Sequence, residues 1–131
     1  MLSFLNHWDK SLLSKAFFIF IGGGLGSILR YLINQIVSLN FLSQLATILV
    51  NTTGSFLFGF LYIVLKDKSS LINLFLLTGF LGGFTTFSQF SFDFLELNEN
   101  NVFTSILYLI TSVTFSIIAA GFGILIAQRL K

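Results

Sequence analysis

Charged side chains fall in short clusters separated by long uncharged runs. None occurs from Tyr31 to Leu65, from Ser69 to Phe92, or from Asn100 to Gln128. A membrane-spanning helix takes about 20 mostly apolar residues, so the second and third runs hold one helix each. The first run is too long for one, and Ser38-Leu39-Asn40 reads as its turn. An apolar stretch from Ala16 to Leu29 continues past Arg30 toward Ile36 as an earlier helix. The pattern therefore predicts four helices, at residues 15–37, 42–65, 70–95 and 102–127, joined by connectors of a few residues. A short polar segment, residues 1–14, precedes them. The prediction is one all-α integral membrane domain over residues 1–131, nearly all of it in the bilayer.

Composition sharpens this picture. Of 131 residues, 55% are hydrophobic and only 9% charged, against about 25% charged in soluble domains. Cysteine is absent, which removes disulfides and thiolate chemistry together. No nucleophile–base pair or metal-ligand cluster is present, so an enzyme is excluded. Seven cations against five anions are too few and too scattered for a nucleic-acid footprint. Lys10 and Lys15 precede an apolar run, but no A-x-A-like site follows and three more spans do, so the first helix is not a cleaved signal. Gly22-Gly23-Gly24-Leu25-Gly26 follows no strand and lacks the later acidic residue of a dinucleotide loop. Gly22 and Gly26 share one helical face instead, and let another backbone approach closely. His7 has no partner ligands beside it in the sequence, and Trp8 reads as an interfacial anchor.

Polar residues at membrane depth carry the functional signal. Asn51 lies near the midpoint of the second helix, with Thr47 one turn earlier and Ser55 one turn later on the same face. An asparagine there either glues helices or serves a pathway. The third helix contains Gly82-Gly83-Phe84-Thr85-Thr86, a poor sequence for continuous helix, and is expected to break at mid-membrane. Such a break exposes carbonyls that suit a hard cation and N–H groups that suit an anion. Phe87 and Phe90 follow it, three apart, and a phenylalanine ring has a positive edge that an anion can approach. Tyr108, Ser112 and Ser116 form a hydroxyl stripe on the fourth helix. Polar features on three helices at one depth favour a pathway over glue.

Three segments, Gly26-Ser27-Ile28-Leu29-Arg30-Tyr31, Asn51-Thr52-Thr53-Gly54-Ser55-Phe56 and Gly79 through Phe90, resemble in residue type and order the Fluc family of fluoride channels, also called the CrcB family. Length and helix count agree with it. Gln89 departs from the small hydroxyl residue usual at its position, and Asp93 stands where the family commonly has glutamate. The resemblance implies a dual-topology antiparallel dimer in the plasma membrane, with two pores that export cytoplasmic fluoride passively. Fluoride would pass Asn51, the edges of Phe87 and Phe90, and the hydroxyls of Thr47, Tyr108, Ser112 and Ser116. A structural sodium ion on the dimer axis would be held by backbone carbonyls of Gly82 and Thr85 from both subunits. Arg30 would attract anions at a vestibule, or else snorkel to the interface.

Two other classes are weighed against this one. A small multidrug-resistance-like transporter shares the four-helix architecture, but its first-helix glutamate is missing here. A non-conducting membrane subunit would use the same polar residues only to hold helices together. Orientation is a separate question. Lys10, Lys15, Lys66, Lys68, Arg129 and Lys131 all lie on one side of a four-span chain, opposed only by Arg30. That bias favours termini inside, whereas an antiparallel homodimer wants little bias. A heterodimer with a related subunit is the alternative assembly.

Overall fold

The computed structural model describes residues 2–39 and 42–131, with side chains from Ser11 onward. The Trp8 and His7 readings, and the Asn40 end of the expected turn, lie outside the described residues. Helix α1 runs Leu2–Ser38, α2 Ser43–Val64 and α6 Val102–Arg129. Between α2 and α6 lie α3 (Ser70–Asn73), a π-helical stretch (Leu74–Leu81), α4 (Gly82–Phe84) and α5 (Phe87–Asn100). Among the described residues, four stretches are long and apolar enough to cross a membrane: Ser11–Ser38, Ser43–Val64, Ser70–Asn100 and Val102–Arg129. The chain is an all-helical, multi-pass membrane protein.

Helix boundaries differ from the sequence reading by more than two residues at two ends. α1 starts at Leu2 and carries the polar segment 1–14 within its helix from there on, because nothing in that segment, free of proline and glycine, interrupts i→i−4 bonding. α5 reaches Asn100 instead of stopping at residue 95. Its end is set by Asn101, whose side chain turns forward to accept from the Phe103 and Thr104 N–H groups and so caps α6.

Glycine fixes how the helices pair. A Cβ at Gly22 would collide with the Phe75 carbonyl, and one at Gly26 with the Phe80 carbonyl. Gly83 meets the backbone of Gly23 in the same way. The seam expected of Gly22 and Gly26 is thus present, against the third span, and residue numbers rise together along it, so the two run parallel. α2 and α6 form a second parallel pair: Thr47 and Tyr108 meet at Asp93 toward one end, and Gly59 and Gly123 each abut the other helix's backbone further along, at Ala120 and at Phe56 and Phe60. Lys131 closes its end with a 2.8 Å ion pair to Asp67. That hydrogen bond, and the Lys131 charge behind it, hold the Asp67 carboxyl below its ordinary range. A small core of Val50, Leu81 and Phe84, flanked by Ile33, Leu61, Leu77 and Phe80, joins the two pairs. Most other apolar side chains face outward, as a lipid-solvated protein requires.

Candidate functional site

Helical bonding stops at Phe84 and restarts at Phe87. Thr85 (φ −77°, ψ 157°) and Thr86 (φ −147°, ψ 117°) are extended between them. The freed backbone groups need partners in a medium without water, and side chains supply several of them. Asn51 Nδ2 donates to the Thr86 carbonyl at 3.0 Å, and Asn51 Oδ1 accepts the Thr86 N–H at 2.7 Å. The Thr86 hydroxyl accepts the Gln89 N–H at 3.1 Å and so caps α5. Thr85 keeps its own N–H and hydroxyl on the Leu81 carbonyl. Arg30 Nε reaches the Gly83 carbonyl at 3.1 Å, joined by the Ser27 hydroxyl at 3.4 Å. Because Thr86 gives its N–H to Asn51, the Gly82 carbonyl lacks its usual i+4 donor.

A cavity of about 330 Å³ opens beside these residues. Asn51 and Ser55 line it from α2, Ser112 and Ser116 from α6, and Thr85, Thr86, Phe87 and Phe90 from the third span. None of its lining residues carries a formal charge. The first turn of α5 adds amide hydrogens and the positive end of a helix dipole. The Phe87 and Phe90 ring centroids are 5.5 Å apart at 44°. Their environments differ sharply: Phe87 is 79% exposed and Phe90 only 8%. Phe90 also stacks on Tyr108, with centroids 5.4 Å apart.

Beyond Phe90 the polar column continues without the cavity. Thr47 and Tyr108 both donate to Asp93 Oδ2, at 2.6 and 3.0 Å, and Gln89 Nε2 donates to Oδ1 at 2.7 Å. Donor-bearing groups therefore line the cavity: the Asn51 amide and the hydroxyls of Ser55, Thr86, Ser112 and Ser116 surround an uncharged space beside Phe87 and Phe90. Such a set replaces the hydration of a small anion.

The structure brings Asn51, Phe87, Phe90, Ser112 and Ser116 to one cavity, with Thr47 and Tyr108 just past its end. Arg30 stands apart. Its guanidinium donates from Nε to Gly83 beside the interruption, where a carbonyl is left without a helical donor. Sequence reasoning missed Thr86 as the hub. A signal was there: Thr86-Phe87-Ser88-Gln89 is a T-x-x-Q capping box. Only half of it forms, since Gln89 turns to Asp93 and Asn51, from another helix, takes the N–H that Gln89 would have held.

The sequence profile described as CrcB-like protein, Camphor Resistance (CrcB), matches residues 17–124. A protein named fluoride-specific ion channel FluC from Gloeothece citriformis is 43% identical over 117 residues, covering 85% of this chain and 94% of that one. Its counterpart of the same name in Flavobacterium psychrophilum is 38% identical over 122 residues, 87% of this chain and 97% of its own. Another from Coxiella burnetii is 39% identical over 119 residues, 86% and 96% of the two chains.

Proposed function

The chain belongs to the CrcB family, and from that premise we propose that it is a passive, fluoride-selective channel of the plasma membrane and not an enzyme. The observation that carries the proposal is the uncharged, donor-lined cavity between α2, α5 and α6. Fluoride is small and strongly hydrated, so a site that accepts it must supply hydrogen-bond donors at once, and this one does. Asn51, Ser112 and Ser116 form the hydrogen-bonding wall. Phe87 and Phe90 turn ring edges to the ion, and Thr47 and Tyr108 extend the path. Arg30 contributes by holding Gly83, and through it the backbone interruption at the middle of the third span.

The working unit is an antiparallel dimer, either of two copies or of this chain with a related one. Support comes from Phe87, a cavity wall left 79% exposed by its own chain, which a second subunit would cover. Gly82, whose carbonyl lacks its helical donor, and the extended Thr85 present oxygens suited to a hard cation, and would hold sodium between the subunits. Bound there, sodium would supply positive charge next to the anion path. With no nucleotide-binding motif in the sequence, the fluoride gradient and the membrane potential together would set the direction of flux, and a negative interior would favour outward movement.

Purified protein in liposomes loaded with potassium fluoride or potassium chloride tests the reading. Ion-selective electrodes should record rapid fluoride efflux and slow chloride efflux. Chloride released as fast as fluoride would overturn it.

A further inference from the structure

The two parallel helix pairs finish at one level. Gly22 lies against Phe75 and Phe80, which brings Lys15 on α1 level with Ser70, where the third span starts. Gly123 lies against Phe56 and Phe60, which brings Arg129 on α6 level with Val64, where α2 ends. The connection 65–69 joins those two levels and adds Lys66 and Lys68, and Lys131 is held to it by the 2.8 Å ion pair with Asp67. Among the described side chains this end therefore carries five exposed cations against the single carboxylate of Asp67. The opposite end, residues 36–44 and 94–103, carries Glu96 and Glu99 and no cation. The Lys131 hydrogen bond, with the charges of Lys131, Lys66 and Lys68, keeps the Asp67 carboxyl below its ordinary range, so three lysines share one ionised partner. Lys66, Lys68 and Arg129 have no ion pair of their own among the described residues. One turn into the membrane from Lys66 and Arg129, Tyr62 and Leu125 are more than half exposed. An apolar face that ends in cations is the complement of a phospholipid, with the acyl chain on the first and the phosphate on the second. An anion from water has no use for the apolar part.

We propose that this end of the bundle docks anionic phospholipid, with headgroup phosphates seated among Lys66, Lys68 and Arg129 and acyl chains laid along Tyr62 and Leu125. Each cation at such a surface favours association about fivefold. Lys15 widens the basic rim, and Asp67 restrains the site by neutralising Lys131. Glu96 and Glu99 repel the same headgroups from the other end. Anionic lipid thereby distinguishes the two ends of the subunit and stabilises the one it binds. The inference does not depend on which ion the protein conducts.

The test is thermal melting of the purified chain in neutral detergent micelles doped with phosphatidylglycerol or phosphatidylcholine. Phosphatidylglycerol should raise the melting temperature by about 5 °C over phosphatidylcholine, and about 0.5 M sodium chloride should remove most of that rise. The triple variant Lys66→Gln, Lys68→Gln, Arg129→Gln should melt with the wild type in phosphatidylcholine and lose the rise in phosphatidylglycerol. Asp67→Asn, which frees Lys131, should enlarge the rise; an ion pair with a purely structural role predicts lower melting in both lipids and no change in the difference. If the triple variant does not purify, Lys66→Gln with Lys68→Gln is measured in its place, and should lose about half of the rise or more. Equal melting of the wild type in the two lipids, or a rise kept in full by the neutralised variants, would overturn the proposal. So would an equal rise on adding inorganic phosphate, which would mark a site for anions from water. None of these measurements reads fluoride, so the lipid site and the channel reading stand or fall separately.

Discussion

Asn51 holds both backbone groups of Thr86, accepting its N–H at 2.7 Å and donating to its carbonyl at 3.0 Å. This amide-to-peptide pairing spans two helices and substitutes for the ladder that the third span gives up at Thr85 and Thr86. One side chain thereby fixes where α5 begins, and with it the direction in which Phe87 and Phe90 project. The same residue cannot serve the backbone with both polar atoms and also turn its whole amide to an ion. What Asn51 offers the cavity is the remaining N–H of its Nδ2.

Asn51→Ala should therefore damage fold and function together. It leaves two backbone groups at membrane depth unpaired, each costing about 1–3 kcal/mol. Thermal melting in detergent should fall by several degrees, and liposome fluoride efflux should drop to background. Efflux at wild-type rate would show that the Asn51 amide is not on the path.

The two phenylalanines should separate by stability but not by conduction. Phe87→Ile changes a ring that its own chain leaves 79% exposed and should alter the fold of the single subunit by no more than about 0.5 kcal/mol, so a larger loss in melting would report the contact with the second subunit. Phe90→Ile removes a buried ring stacked on Tyr108 and should cost about 1–2 kcal/mol. Fluoride efflux should fall at least tenfold in both, since each loses its positive edge. Unchanged efflux in both would reduce them to packing.

Glycine substitutions divide cleanly by neighbour. Gly26→Ala drives a methyl into the Phe80 carbonyl, as Gly83→Ala does into Gly23, whereas Gly24 and Gly121 have nothing within 4 Å of a new Cβ. The first two should cost about 1–3 kcal/mol or more, or abolish assembly; Gly24→Ala and Gly121→Ala should purify normally. Size-exclusion profiles and melting curves check the pattern.

If carbonyls of Gly82 and Thr85 hold sodium, protein purified and reconstituted with N-methylglucamine in place of sodium should lose fluoride efflux, and added sodium should restore it. Efflux indifferent to the cation throughout would remove sodium from the proposal.

A reporter active on only one side of the membrane, fused after Lys131, decides the assembly. Signal from both sides, with fluoride efflux from the single purified species, marks a homodimer. Signal from the inside alone, with efflux only when a related chain is supplied, marks a heterodimer.

The four spans were legible because lipid imposes a coarse rule: long uncharged runs become helices, and Lys66-Asp67-Lys68 cannot lie inside one. Gly22 and Gly26 were readable for a similar reason, since two small residues one turn apart have few uses other than close approach. Partners were harder. Nothing local tells Arg30 that a carbonyl freed 53 residues later will be its acceptor, and the Thr47–Asp93 bond links positions 46 apart. The α1 boundary was misplaced because polarity was read as the end of a helix, although hydrogen bonding along the backbone is indifferent to which side of the headgroups it lies on. The π-helical winding of Leu74–Leu81 left no trace in composition, because it answers to what the stretch must face and not to what it is made of.

That winding makes the third span unequal toward insertions and deletions. A π turn stores an additional residue compared with an α turn, here ahead of Gly82, Gly83 and Phe84. Deleting one residue between Leu74 and Leu81 lets the stretch tighten toward α-helix while the residues on either side keep their phase. Inserting one has no such outlet, and rotates Gly83 away from Gly23 and from Arg30. Along this part of the chain, evolutionary shortening has an open route and lengthening does not.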